Sequence, residues 1–140
     1  MARLQITLPE VFKFSTLIPV RITDLNYGAH VGNDAILSII HESRVQFLKK
    51  YQSTELDLFG VSLIQADAAV VYKSESFYGD VIRCEVMPAE FTRAGFDLYY
   101  RLSHAEKMHD IAHAKTGMVC FDYQNRKVVP VPEAFIQLFK

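Results

Sequence analysis

The alternation of hydrophobic and polar residues divides the chain into one long helix and several strands. Residues 34–51 repeat apolar side chains at helical spacing, with Asn33 or Asp34 as the expected N-cap. The apolar positions cover about half of this helix, which is wider than the roughly 100° stripe of an ordinary surface helix. We therefore expect other structure to wrap around it.

Strand-like runs precede and follow the predicted helix. The first covers residues 11–22, and turn sequences rich in Gly, Asp or Asn delimit four later runs at 62–73, 80–91, 95–103 and 111–123. Strict alternation assigns one face of the 62–73 run to Ile64, Ala66, Ala68, Val70 and Tyr72, and the other to Gln65, Asp67 and Lys73.

The order of these elements predicts a single α+β domain. One helix cannot bury a wide apolar surface alone, but an antiparallel sheet curled around it can do so. The chain has 140 residues, near the common size of one domain, and no stretch rich in Pro, Gly or Ser divides it. We therefore predict one domain spanning residues 1–140.

Composition excludes several partner classes. Fifteen basic residues oppose sixteen acidic ones, so the broad positive surface typical of nucleic-acid binding is not expected. The N-terminal region has early charge and Pro9 instead of the apolar stretch of a signal peptide, and no apolar run approaches the ~18 residues of a membrane span. These features predict a cytoplasmic protein, with Cys84 and Cys120 as buried free thiols.

Residues 21–48 contain a motif that resembles the signature of the 4-hydroxybenzoyl-CoA thioesterase family. That family has an Asp-Leu-Asp strand end, a Gly-His-Val-Asn-Asn-like turn and a helix with Glu-x-x-Arg. The matching segments here are Asp24-Leu25-Asn26, His30-Val31-Gly32-Asn33 and Glu42-Ser43-Arg44, where one residue instead of two separates the glutamate from the arginine.

The resemblance implies a hot-dog fold, in which an antiparallel sheet of five to six strands wraps around one long central helix. It implies an acyl-CoA substrate bound at a subunit interface of a homodimer or homotetramer. No metal and no cofactor other than the CoA of the substrate is expected. It also implies that Glu42 has a structural role as the partner of Arg44.

One departure from the family affects the predicted chemistry. The second acidic residue of Asp-Leu-Asp is the family's catalytic carboxylate, and the matching residue here is Asn26. An amide cannot act as a general base at neutral pH, although it can orient a water or bind a carbonyl. The backbone N–H of Asn33, at the helix N-terminus, can still stabilise an oxyanion as its counterpart does in the family.

Three groups are candidates for activating water in place of the missing carboxylate. His30 lies in the same turn, and an imidazole can take up a proton near neutral pH. Asp67 lies between alanines in mid-strand, where Asp is disfavoured and small neighbours leave space for a ligand. Asp24 can hold His30 or cap the loop.

Glu75 is a weaker candidate with a distant counterpart in plant acyl-carrier-protein thioesterases. Asp24, Tyr27 and Asp34 are the expected substrate-binding residues.

The sequence therefore predicts hydrolysis of an acyl-CoA thioester, with the carbonyl held at the N-terminus of the central helix. Two alternatives stay open. A non-hydrolytic module that binds acyl thioesters is favoured by the missing carboxylate. An enoyl-thioester hydratase on the same fold usually has an Asp-x-x-x-x-His turn, and Asn26 and His30 lack both the acid and that spacing.

Overall fold

The computed structural model of the protein describes residues 3–140, in which one long helix lies against one sheet. The predicted helix and all five predicted strands are confirmed, with β6 and a short 3₁₀ turn at Ile22–Asp24 in addition. The elements in chain order are β1 Phe14–Pro19, α1 Asn33–Lys50, β2 Ser62–Tyr72, β3 Val81–Ala89, β4 Gly95–His104, β5 Asp110–Asp122, β6 Lys127–Val128 and α2 Glu133–Gln137.

The strands form one antiparallel sheet in the order β1-β3-β4-β5-β2, and β6 pairs with β5. Successive residues of β3, β4 and β5 alternate between buried and partly exposed, so one face of the sheet packs against α1. The hot-dog architecture expected from the sequence is confirmed. Core residues include Ile36, Ile40 and Phe47 from α1 and Ile82, Val86, Leu98, Leu102, Ala114 and Cys120 from the sheet.

The beginning of α1 differs from the prediction. Its N-cap is Gly32, and neither Asn33 nor Asp34 fills that position. The Gly32 N–H donates to the Asp24 carbonyl, and a Cβ on Gly32 would stand only 2.5 Å from Asp34 Oδ1. No side chain caps this helix end. The first helical hydrogen bond runs from Ile36 N–H to Gly32 C=O.

A β-bulge in β2 changes which of its residues face α1. Gln65 is opposite Met118 and Asp67 is opposite Gly117, so Ala66 is an extra residue without a partner in β5. Met118 points toward α1, and Gln65 therefore lies on the helix side with Ala68, Val70 and Tyr72. The prediction from strict alternation was wrong for Ile64 and Gln65, because it assumed an uninterrupted strand.

Both cysteines are buried and free, as expected. Burial raises the pKa of Cys84 to about 12 and that of Cys120 to about 11, so neither is a reactive thiolate at neutral pH. Within residues 3–140, no helix is both long and apolar enough to cross a membrane.

Candidate active site

The turn between the 3₁₀ segment and α1 is fixed by its own hydrogen bonds. Asn26 Oδ1 accepts the Gly28 N–H at 2.8 Å, and the Asn26 carbonyl accepts the Ala29 N–H at 3.1 Å. The Asn26 N–H donates to the His30 carbonyl at 2.9 Å. Asn26 therefore shapes the turn through its side-chain oxygen, and its amide –NH₂ is the part left to contact a substrate.

Asn26 and His30 lie on the same side of this turn. A Cβ on Gly28 would stand 3.3 Å from Asn26 Oδ1 and 3.3 Å from His30 Nε2. The two atoms are therefore separated by no more than twice that distance. A glycine at position 28 leaves room for both side chains.

The imidazole of His30 is oriented by the backbone. Its Nδ1–H donates to the Val31 carbonyl at 3.1 Å, because a carbonyl oxygen can only accept. Nε2 of the neutral ring therefore carries the free lone pair, and it lies 3.9 Å from Glu75 Oε1. Glu75 was only a weak candidate from the sequence, but the structure places it beside His30.

His30 and the first residue of α1 border one cavity of about 270 Å³. On the sheet side, this cavity is bordered by the end of β2 and the segment that follows it. The Tyr72 hydroxyl donates to the Asn33 carbonyl at 3.2 Å and fixes the end of β2 against α1. The N–H groups of Asn33, Asp34 and Ala35 precede the first helical hydrogen bond, so this helix end can attract a developing negative charge.

A second cavity, of about 320 Å³, lies in the groove between α1 and β2. Its walls are mainly apolar, and its far end contains polar groups. The apolar walls come from Leu37, Ile40, Ala68, Val70 and Ala114, and the polar groups include Arg44, Gln65 and Thr116.

Arg44 is buried at the polar end of this groove. Its Nε donates to Glu55 Oε1 at 3.2 Å and its Nη1 donates to the Tyr100 hydroxyl at 3.3 Å. Burial lowers the pKa of Arg44, but the contacts with Tyr100 and Glu55 raise it above its ordinary value, so the guanidinium stays charged. The expected partner Glu42 instead accepts a hydrogen bond from Gln46, which corrects the pairing inferred from the family motif.

Asp24 is buried and anchors the loop before the turn. Its carboxylate accepts hydrogen bonds from the Arg21 backbone at 2.8 Å and from the Arg21 guanidinium at 3.1 Å. Burial alone would raise the pKa of Asp24, but these bonds and the charge of Arg21 hold it below the ordinary value. Tyr27 at the tip of the turn and Asp34 in the first turn of α1 are exposed.

Asp67 lies away from His30 within the chain. It is opposite Gly117, whose neighbours Thr116 and Met118 are buried toward α1, so Asp67 is on the outer face of the sheet. Its Oδ1 accepts the Gly117 N–H at 2.9 Å, beside the bulge. It borders a cavity formed with residues 90–97, whereas His30 borders the one formed with residues 72–76. Asp67 and His30, both candidates for activating water, therefore do not share a site within one subunit.

Comparison with known protein families shows which family the chain belongs to. Residues 20–139 match the model of the thioesterase-like superfamily, which is nearly the whole chain. The chain belongs to the thioesterase-like superfamily. No curated protein sequence matches it significantly.

Solved structures of thioesterases have the same fold as this thioesterase-like protein. A 1,4-dihydroxy-2-naphthoyl-CoA thioesterase from Synechocystis is 20% identical, with a TM-score of 0.81 over 90% of this chain and 94% of that one. A putative thioesterase from Pseudomonas aeruginosa is 17% identical, with a TM-score of 0.84 over 93% and 100%. A Thermus thermophilus thioesterase, complexed with coenzyme A and zinc, is 18% identical, with a TM-score of 0.78 over 93% and 99%.

Sequence reasoning missed several residues that border the two cavities in this member of the superfamily. Gln65 reaches the helix side only because of the bulge, and a single sequence gives no signal for it. Tyr72 and Ser76 come near Asn33 and Val31 through the pairing of distant segments. The position of a residue just after a strand end predicts a site residue only weakly, because many such residues only form turns.

Proposed function

We propose that the protein hydrolyses acyl-CoA thioesters at the N-terminus of α1. The observation that supports this most is that His30, Glu75 and Asn33, the first residue of α1, border one cavity. Membership of the thioesterase-like superfamily supports thioester hydrolysis in general. The coenzyme A bound to the related Thermus thermophilus thioesterase supports CoA as the carrier.

In the proposed reaction, the thioester carbonyl oxygen accepts a hydrogen bond from the Asn33 N–H. A water between His30 and Glu75 gives a proton to His30 Nε2 as its oxygen bonds to the carbonyl carbon. The C–S bond then breaks, and the proton passes from His30 to the departing thiolate. The products are a carboxylic acid and free CoA, and the Glu75 carboxylate stabilises the transient imidazolium.

The groove between α1 and β2 is the proposed site of the acyl group. Its lining begins at Leu37, one turn of α1 beyond Asn33, and continues between Ile40 and Val70, so we expect an acyl chain attached to a carbonyl at Asn33 to enter it. Its mainly apolar walls match an acyl chain better than the charged CoA nucleotide, which we expect outside the groove.

Pairing of two subunits through β2 is part of the proposal. β2 is an edge strand of 11 residues with one neighbouring strand, and long unpaired edges readily add another strand. β1 at the other edge has six residues and ends at Pro19, which makes it less suited to pairing. Leu37 and Val45 expose apolar surface along α1. A second copy paired with β2 would close the open side of the groove.

Thiol release from a series of acyl-CoAs tests the proposed reaction. We expect His30→Ala and Glu75→Gln each to lower kcat by more than tenfold, because each removes a group proposed to act on the attacking water. The fold of each variant is checked by its thermal unfolding midpoint. A wild-type protein that releases no thiol at any chain length would contradict the proposal.

Asp67→Asn, measured in the same assay, distinguishes the two candidate water-activating sites. Asp67 holds the Gly117 N–H on the outer face, and the side-chain oxygen of Asn can accept the same bond, so we expect little change in the unfolding midpoint and a kcat within about twofold of wild type. A tenfold loss of kcat with an unchanged midpoint would restore Asp67 as a catalytic group, contributed across the subunit interface.

A non-hydrolytic binding role is the second candidate function, because Asn26 replaces the family's catalytic carboxylate. It predicts tight acyl-CoA binding in calorimetry with no release of thiol. An enoyl-CoA that loses absorbance without thiol release would instead indicate a hydratase.

A further inference from the structure

The hydroxyl of Ser76 is buried without a partner. Among residues 3–140, Ser76 Oγ is the one buried side-chain nitrogen or oxygen that makes no hydrogen bond, and the residue is 1% exposed. An unsatisfied buried hydroxyl costs free energy, so folded proteins rarely keep one. A group that binds to this hydroxyl would remove that cost.

Ser76 is held at the cavity that contains His30 and Asn33. Its carbonyl accepts the Val31 N–H at 2.8 Å, which fixes it two residues from the start of α1. The segment is anchored on both sides of it, since Ser74 Oγ donates to the Asp110 carbonyl at 2.7 Å. On the other side, the Phe77 N–H donates to Asp80 Oδ2 at 2.9 Å. The position of Ser76 is thus set by the surrounding structure.

We propose that Ser76 is a second oxyanion donor, whose O–H donates to the carbonyl oxygen of the bound acyl thioester beside the Asn33 N–H. This inference rests on the proposed function. Thioester attack concentrates negative charge on that oxygen, and two fixed donors stabilise it better than one. Ser76 has no hydrogen bond to His30 or Glu75, so neither is placed to activate it as a nucleophile.

Ser76→Ala should change stability and activity in opposite directions. Loss of one oxyanion donor lowers kcat by roughly a hundredfold or more and raises KM by no more than about fivefold. The unfolding midpoint should stay equal to wild type or rise, because the substitution removes an unpaired buried hydroxyl. Unchanged kcat, or a fall in midpoint that accounts for the lost activity, would overturn the assignment.

Ser53→Ala is the matched control. Ser53 is also buried, but it lies just beyond the C-terminal end of α1 and its Oγ donates to the Tyr51 carbonyl at 3.1 Å. We expect this variant to have a lower unfolding midpoint and the kcat of wild type.

A binding experiment separates the Ser76 inference from the proposed function. In a His30→Ala background, calorimetry compares an acyl-CoA with the corresponding alkyl-CoA thioether, which lacks the carbonyl. Adding Ser76→Ala should weaken acyl-CoA binding about fivefold, the equivalent of one ordinary hydrogen bond, and leave thioether binding unchanged.

Equal weakening for both ligands, or none for either, would overturn the donor role. Failure of the wild-type protein to release thiol would contradict the proposed function, and this comparison would still decide the role of Ser76.

Discussion

At the scale of single residues, the site depends on a short turn that brings an amide and an imidazole together. The side chains of Asn26 and His30 both lie next to the position that a Cβ on residue 28 would occupy. The Val31 carbonyl sets the tautomer of His30. An amide at position 26 suits this arrangement because its oxygen holds the turn while its –NH₂ can donate outward. The general base is therefore expected elsewhere, on His30 with Glu75 beside it.

Gly28→Ala tests whether the turn tolerates a side chain between Asn26 and His30. The added methyl would stand 3.3 Å from Asn26 Oδ1 and His30 Nε2, which forces both side chains to move by a few tenths of an ångström. We expect kcat/KM to fall about tenfold or more, with a small change in the unfolding midpoint, because catalytic groups tolerate little misplacement.

Gly60→Ala is the comparison variant for this prediction. Gly60 lies before β2 with a φ of 98° and no atom within 4 Å of an added Cβ. Its substitution strains the backbone, so we expect lower stability with unchanged kcat/KM. Wild-type activity of Gly28→Ala would show that the turn is more tolerant than its contacts indicate.

The residues of the turn could be predicted from sequence because they are contiguous and form one motif. Asn26, His30 and Asn33 fall within eight positions, and the helix start fixes their neighbourhood. Glu75 and Ser76 come from a segment more than forty residues later. Only the pairing of that segment with Val31 brings them to the site, and no local pattern encodes this pairing.

At the scale of elements, α1 and β2 form the groove in which we expect the acyl chain. The side chains of β2 that point toward α1 are small. Ala68 is paired with Thr116 of β5, and Val70 is paired with Ala114. Small side chains on a sheet that faces a helix leave volume between the two layers, and this volume forms the second cavity.

Ala68→Phe should shorten the acyl chain that the protein accepts. The ring would fill the groove between Ile40 and Val70, so kcat/KM for long acyl-CoAs should fall at least tenfold relative to short ones. The readout is the kcat/KM series over acyl length.

Ala69→Phe provides the control, because Ala69 is the next residue and points to the outer face opposite Lys115. It should leave the chain-length profile unchanged. If both variants shift the profile equally, the acyl chain does not lie in this groove.

At the scale of the whole molecule, periodicity predicted one sheet around one helix, and the family motif added the hot-dog fold. A wide apolar helix and five alternating strands leave few arrangements other than a sheet wrapped around a helix. Subunit pairing is less accessible to sequence reasoning, since an edge strand and a central strand can have the same alternation. Only the strand order shows that β2 has a free edge.

Val45→Glu tests subunit pairing. Val45 is 45% exposed on α1, so a charge there costs a single chain little, whereas burial against a second copy would be unfavourable. We expect sedimentation to show a shift from dimer to monomer, with loss of activity.

Val11→Glu, at an exposed apolar position before β1, should leave the dimer intact. A monomeric wild-type protein with full activity would show that the groove works without a partner.

The bulge in β2 also has a consequence for changes in chain length. Deleting a residue elsewhere in this strand would move every side chain beyond the deletion to the opposite face of the sheet. Ala66 is the exception, since Gln65 and Asp67 already oppose consecutive residues of β5. The strand thus contains one spare position, at which homologous chains can lose a residue and keep both faces of the sheet.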